Sequence, residues 1–208
     1  MSREKHWEAV YRDKTAEEVS WFQPSPELSL ALIEAAGMSR QVPIIDVGGG
    51  ASRLVDRLIE AGYGDVSVLD ISSAALEQSR ARLGVAADAV RWLQADITRA
   101  ELPIRYRLWH DRAVFHFLVD AQARAAYLER LERHLEPGGQ AIIATFSPDG
   151  PERCSGLPVQ RYSAQSLAQA LGERFRLIES RDELHTTPAG ARQTFVYCRF
   201  EHATNTDE

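Results

Sequence analysis

The pattern of apolar and polar residues alternates along the chain between short β-branched runs and segments with helical spacing, which is typical of a βαβ protein. Short apolar runs predict strands at 44–47, 66–69, 90–94, 107–110, 140–146, 175–179 and 193–200. Apolar residues three to five positions apart predict helices in most of the connections. The last connection is too short for a helix, so the final strand is expected to be antiparallel. The pattern therefore predicts an α/β fold with a doubly wound, mostly parallel sheet of seven strands.

The region before the first strand predicts two helices, over residues 3–11 and 26–36. Four aromatic residues in this region either cover a ligand or pack on the sheet's own core: Trp7, Tyr11, Trp21 and Phe22. We expect one domain in which residues 1–42 form a helical lid, residues 43–200 the binding core and residues 201–208 a flexible tail. Within the core, Pro137-Gly138-Gly139 is expected to stop the helix before the fifth strand.

Composition narrows the class of protein. The 208 residues, 44% hydrophobic and 26% charged, suit a single domain, and no apolar run approaches the length of a membrane span. The start of the chain does not resemble a signal peptide, so we expect a cytoplasmic protein. The net charge of −6, without basic runs, disfavours nucleic acid as a partner. Cys154 and Cys198 are too isolated to predict a disulfide framework or a metal site.

A glycine-rich turn, Gly48-Gly49-Gly50, follows the first strand, where backbone can approach a ligand closely. A dinucleotide fingerprint would need a third glycine at the position of Arg53, and the Gly-Lys-Ser/Thr of a phosphate loop is missing. Asp46 precedes the glycines instead, and a carboxylate there suits a cationic ligand better than a pyrophosphate. The turn therefore argues against both of the common nucleotide-binding motifs.

Two further carboxylates end the second and third strands. Asp70 lies 22 residues after Gly48, where it can accept both ribose hydroxyls of an adenosine. Asp96 ends the third strand. The carboxyl ends of successive parallel strands meet at one edge of the sheet, so these side chains predict a single ligand site there.

These motifs resemble the class I, Rossmann-like, S-adenosylmethionine-dependent methyltransferases, in particular a group of small bacterial members. The resemblance extends from about Trp7 to Phe200 and includes the segment from Leu108 to Phe117, which in the family lies beside the transferable methyl group. It implies S-adenosylmethionine as the cofactor, with Asp46 at its methionyl end, Asp96 on the adenine amino group and Ile97 on the ring. The full set of expected cofactor contacts is Trp21, Asp46, Gly48, Gly50, Ser52, Asp70, Ile71, Asp96, Ile97 and Asp111. Ser52 and Arg107 depart from the family pattern.

The expected activity is methyl transfer to a small-molecule acceptor. The sulfonium activates its own methyl group, so a general base is needed only for a protonated acceptor. Candidates near the methyl group are Asp111, which is the strongest, His110, His116 and Arg112, and the last of these could receive an acceptor carboxylate. Each also has an ordinary structural alternative. A protein lysine or amino-group methyltransferase and a non-catalytic S-adenosylmethionine-binding subunit remain open, and a nicotinamide dehydrogenase is a weaker option.

Overall fold

The computed structural model of the protein describes residues 2–204. Within these residues, seven strands form one sheet: β1 (Ile44–Val47), β2 (Val66–Asp70), β3 (Val90–Gln94), β4 (Tyr106–Arg112), β5 (Leu135–Phe146), β8 (Phe175–Thr186) and β9 (Arg192–His202). Their order across the sheet is β3-β2-β1-β4-β5-β9-β8, and β9 is antiparallel to both of its neighbours. A small hairpin pairs β6 (Arg153–Cys154) with β7 (Leu157–Pro158). The sheet order and directions confirm the predicted fold.

Helices cover both faces of this sheet. They are α1 (Arg3–Asp13), α2 (Glu27–Ala35), α3 (Leu54–Glu60), α4 (Ser73–Leu83), α5 (Ala121–His134) and α6 (Ala164–Leu171). Alternate strand residues face opposite layers, so Ile45 packs in the cluster with α5 and α6, and Ile44 in the cluster with α2 and α3. Within residues 2–204, none of the helices combines the length and the apolar character needed to traverse a bilayer.

Helix α5 ends at His134, before Pro137-Gly138-Gly139 as expected. The fifth strand, expected to start at residue 140, begins already at Leu135 and runs through the proline and both glycines. The β4–β5 pairing shifts register between Tyr106 and Leu108, so these residues form an irregular part of the strand. Arg107 donates from Nη1 to the carbonyl of Pro137 (3.0 Å), which anchors β4 to this segment.

The last two strands are longer than the sequence pattern predicts. Strand β8 continues seven residues past the predicted end, to Thr186, and β9 two residues past it, to His202. The predicted tail at 201–208 therefore begins with two strand residues, and its final part, 205–208, lies outside the described residues. The extension brings polar residues of β8 near the N-terminal region.

Candidate functional site

The glycine turn after β1 is packed against residues of the site. Gly48 has φ +70°, and a Cβ there would lie 2.0 Å from Cγ2 of Val114. A Cβ on Gly49 would lie 2.4 Å from Oδ2 of Asp46. No larger residue fits unless these neighbours move, so the turn keeps its backbone close to whatever enters the cavity.

Asp70 ends β2 behind this turn. Its Oδ1 accepts from the backbone N–H of Ser72 at 2.8 Å, and a Cβ on Gly50 would lie 2.5 Å from its Oδ2. Burial raises the pKa of Asp70 to about 7, and the nearby charge of Asp46 adds to the rise. A hydroxyl donor that reached this carboxylate would stabilise its ionised form.

Asp96 follows β3 at the same edge of the sheet. Its Oδ1 accepts from the N–H (3.0 Å) and the hydroxyl (2.7 Å) of Thr98. Its Oδ2 lies 3.3 Å from Nη2 of Arg3, at the start of α1. Ile71 and Ile97 line the same cavity, which brings together the residues assigned to the adenosine end.

Two neighbouring cavities occupy this edge of the sheet. The first, of about 100 Å³, is lined by Arg3, Trp7, Tyr11, Trp21, Val47, Gly48, Leu69, Asp70, Ile71, Ala95, Asp96, Ile97, Arg112, Ala113, Val114, Phe117, Leu118 and Cys154. The second, of about 50 Å³, is lined by Tyr11, Ala16, Val19, Trp21, Phe22, Gln23, Pro26, Ser29, Asp46, Gly48, Gly49, Ala51, Ser52, Leu54, His110 and Arg112. Tyr11, Trp21, Gly48 and Arg112 belong to both walls, so the two spaces meet at these residues.

Aromatic residues of the N-terminal region cover the first cavity. Trp7 packs edge-to-face against Trp21 (ring centroids 5.5 Å apart) and Phe117 (5.0 Å). Trp21 donates from Nε1 to the hydroxyl of Tyr11 at 3.1 Å. These rings pack on one another and also line the first cavity, and their role in covering a ligand stays a prediction.

Polar contacts hold α1 in place over this cavity. The carboxylate of Glu8 accepts from the hydroxyl of Ser72 (2.8 Å) and from the N–H of Ala74 (3.2 Å), at the start of α4. Gln78 donates from Nε2 to the carbonyl of Tyr11 at 2.8 Å. With the Arg3–Asp96 pair, these contacts tie the helix to the carboxyl ends of β2 and β3.

His110 connects Asp46, just before the glycine turn, to α2. Its Nδ1 lies 2.7 Å from Oδ1 of Asp46, and its Nε2 lies 2.9 Å from the hydroxyl of Ser29. His110 and Asp46 also line the second cavity. Both ring nitrogens are engaged, which fits an imidazole that positions the carboxylate.

Asp111 and His116, both predicted near the methyl group, line neither cavity. The Asp111 carboxylate is fully buried and accepts from the N–H groups of Val114 (2.9 Å) and Phe115 (3.2 Å) and from the hydroxyl of Tyr127 (2.7 Å). Burial raises its pKa to about 6. In this geometry Asp111 organises the segment after β4 that forms the cavity wall, and its expected place beside the cofactor stays a prediction.

His116 is fully buried as well, against the ring of Phe146. Its Nδ1 lies 3.3 Å from the backbone N–H of that residue, which donates to it. Burial lowers the pKa of His116 to about 3, so the ring is neutral at ordinary pH. A neutral side chain enclosed in this way lies outside the reach of a ligand in either cavity.

The remaining predicted residues have clear positions. Ser52 lines the second cavity and accepts from the N–H of Leu54 at 3.1 Å, which caps α3. Arg53 points away from the sheet to Glu17 (2.8 Å) and over the ring of Phe22. Cys154, on β6 of the small hairpin, lines the first cavity, and burial raises the pKa of its thiol to about 11.

Residues 2–204 contain no group of three or more His, Cys, Asp or Glu side chains that could hold a metal ion. The groups at the site instead suit an organic ligand: carboxylates that accept from ribose hydroxyls and an amino group, backbone beside the turn, and aromatic rings over a flat base. The residues present therefore fit S-adenosylmethionine.

Comparison with known proteins agrees with this geometry. Residues 44–139 match the family model described as a methyltransferase domain. An uncharacterized methyltransferase of Mycobacterium tuberculosis is 33% identical over 104 residues, half of this chain and half of that protein. The matched region spans half or less of each curated relative.

Solved structures extend the likeness to the whole fold. A protein studied for the conversion of a disulfide bond into a thioacetal group during echinomycin biosynthesis has a TM-score of 0.77 at 20% identity, covering 99% of this chain and 95% of that one. The Burkholderia thailandensis 1,6-didemethyltoxoflavin-N1-methyltransferase, with its acceptor and S-adenosylhomocysteine bound, has a TM-score of 0.68 at 20% identity and covers 93% and 81%. These two structures show that the chain has the Rossmann-like methyltransferase fold, and its similarity to the methyltransferase family model covers residues 44–139, just under half of its length.

Proposed function

We propose that this protein transfers the methyl group of S-adenosylmethionine to a small-molecule acceptor. One observation carries the proposal: Asp46, Asp70 and Asp96 lie at or just beyond the carboxyl ends of three neighbouring parallel strands and line two cavities that meet at Trp21 and Gly48. Asp70 would hold the ribose and Asp96 the adenine amino group. Asp46 would lie near the cationic methionyl end.

The cofactor, when bound, supplies a methyl group that its sulfonium already activates. The chain then has to align the acceptor and exclude water, and the ring cluster of Trp7, Trp21 and Phe117 is suited to both tasks. We propose that residues 2–42 act as a lid over this site. The enclosing lid favours a small acceptor over the open groove that a peptide would need.

A thermal-shift titration with S-adenosylhomocysteine and with NAD tests the cofactor assignment. We expect S-adenosylhomocysteine at about a hundredfold excess over Kd to raise Tm by roughly 5–10 °C, and NAD to leave it unchanged. Asp70→Ala should lose most of the shift, whereas Asp88→Ala, at an exposed position, should keep it. Stabilisation by NAD alone would overturn the proposal.

The acceptor class needs a second measurement. Cell extract incubated with the protein and S-adenosylmethionine labelled in its methyl group would be separated by size. The proposal predicts label in the small-molecule fraction, dependent on Asp70. Label confined to the protein fraction would instead support the alternative of a protein amino-group methyltransferase, and binding without any transfer would support a non-catalytic subunit. The free, buried thiols of Cys154 and Cys198 fit the cytoplasmic location that we propose for this activity.

A further inference from the structure

Arg112, the last residue of β4, lies where the two cavities meet and lines both of them. Its Nε donates to the hydroxyl of Tyr197 at 2.7 Å, and its Nη1 donates to the backbone carbonyl of Trp21 at 2.9 Å. The guanidinium carbon lies 4.5 Å from the centroid of the Phe195 ring. These contacts fix the orientation of the guanidinium.

The guanidinium still has unused donors. It carries five N–H groups, and Nη2 makes no hydrogen bond although the side chain is only 10% exposed. Glu183 lies beside it, but its Oε2 is 3.7 Å from Nη2, beyond hydrogen-bond distance. The oxygens of Glu183 accept instead from the hydroxyl of Tyr197 (2.9 Å) and from Nε2 of Gln23 (2.9 Å). Leaving buried donors unpaired is unfavourable, so a ligand that accepts from them gains affinity.

The chemistry of that ligand follows from the shape of the group. A planar, permanently charged fork is matched by a carboxylate, which accepts two parallel hydrogen bonds. We propose that Arg112 forms a carboxylate subsite at the junction of the two cavities. The proposal rests on the proposed function, because the junction is where the methionyl end of the cofactor and the acceptor would meet. The carboxylate has two possible sources: the methionyl group itself or the acceptor.

The competing explanation is structural: Arg112 only holds the Trp21 segment to the sheet and pairs with Glu183. The variant Glu183→Gln separates the two. Removing the competing carboxylate frees the guanidinium, so a carboxylate ligand should bind more tightly. Loss of a purely structural ion pair would lower Tm and leave ligand affinity unchanged.

The cofactor source is tested by calorimetry with S-adenosylhomocysteine and with 5′-methylthioadenosine, which lacks the amino-acid carboxylate. If the methionyl carboxylate occupies the subsite, Arg112→Gln should lower the affinity for S-adenosylhomocysteine by roughly tenfold to a hundredfold. The affinity for 5′-methylthioadenosine should stay unchanged. Arg112→Lys, which keeps the charge and loses the fork, should give an intermediate loss. Glu183→Gln should raise the affinity ratio of the two ligands.

The acceptor source is tested with the same variants under saturating S-adenosylhomocysteine. Pairs of an acid and its amide serve as probes: benzoate with benzamide, and indole-3-acetate with indole-3-acetamide. The wild-type complex should be stabilised by the acids and not by the amides, and Arg112→Gln should abolish the difference. Glu183→Gln should enlarge the difference between the stabilisation by acids and that by amides.

Two results together would overturn the proposal. The ratio of the affinities for S-adenosylhomocysteine and 5′-methylthioadenosine would be the same in every variant, and acids and amides would stabilise the protein equally. If Arg112→Gln does not fold, Glu183→Gln decides the question alone, because it leaves the guanidinium in place. A wild-type protein that fails to bind S-adenosylhomocysteine would overturn the proposed function instead, so the two failures are distinguishable.

Discussion

Asp46 and His110 are direct neighbours in the parallel pairing of β1 with β4, and their side chains join at 2.7 Å through Oδ1 and Nδ1. Both side chains are only 3% exposed. The other ring nitrogen of His110 contacts the hydroxyl of Ser29 on α2, so this one residue connects Asp46 to the N-terminal region. The buried carboxylate is thus held in one orientation by a partner on the adjacent strand.

This pairing predicts that His110→Leu weakens both folding and cofactor binding. Removing one partner of a buried pair leaves the Asp46 carboxylate uncompensated, so the free energy of unfolding should fall by about 3 kcal/mol. Affinity for S-adenosylhomocysteine should fall as well, because the carboxylate loses its orientation. Chemical denaturation and calorimetry measure the two effects.

His110→Asn and Ser29→Ala are the matched controls. Asparagine can still donate to Asp46 from its amide, so it should recover most of the affinity. Ser29→Ala removes only the distal contact and should leave affinity near the wild-type value. A leucine variant that binds S-adenosylhomocysteine as tightly as the wild type would show that Asp46 does not need this partner.

The raised pKa of Asp70, about 7, predicts that cofactor affinity depends on pH. Ribose hydroxyls donate to the ionised carboxylate, so affinity for S-adenosylhomocysteine should rise with pH by up to about tenfold between pH 6 and 8 and then level off. The same shift means that the unliganded fold loses stability as pH rises from about 3.8 to about 7. Calorimetric titration with S-adenosylhomocysteine between pH 6 and 8 should show an affinity that does not change with pH for Asp70→Asn. The Asp111→Asn variant should keep the full pH dependence of that affinity.

Asp111 yields a prediction that opposes its sequence-based assignment. Its carboxylate satisfies two backbone N–H groups and the hydroxyl of Tyr127, so Asp111→Ala should destabilise the fold by about 2–4 kcal/mol. Asp111→Asn retains an acceptor and should bind S-adenosylhomocysteine within about threefold of the wild type. A folded Asn variant that retained affinity but lost methyl transfer would restore Asp111 to the catalytic centre.

Strand register explains why Asp46 lines a cavity and Asp111 does not. Parallel strands end at one edge, so polar residues at their carboxyl ends can be grouped from sequence alone. The face toward which each side chain points depends on pairing. Asp46 pairs with His110, so these two share a face, whereas Asp111 pairs with Val47 and points toward Tyr127 on α5. The side chains of the adjacent residues 110 and 111 therefore point to opposite faces of the sheet, toward α2 and α5 respectively.

The contacts that Arg3 and Cys154 make at the site could not be predicted from the sequence, for a different reason. Arg3 meets Asp96 across 93 positions, and Cys154 reaches the cavity wall through a two-residue hairpin strand. Neither residue belongs to a periodic pattern or a motif with fixed spacing. Such contacts depend on how α1 and the hairpin dock on the finished sheet, which local propensity does not encode.

The close approach of Gly48 to Val114 gives a test of the turn itself. Gly48→Ala should lower the free energy of unfolding by about 1–2 kcal/mol for the positive φ and by about 1–3 kcal/mol more for the contact with Val114. Gly37→Ala, with φ +67° and no atom near the added Cβ, measures the first contribution by itself. Adding Val114→Ala to Gly48→Ala should recover part of the second contribution, as seen in denaturant midpoints. If the double variant is no more stable than the sum of the single changes predicts, the contact is not the cause of the loss.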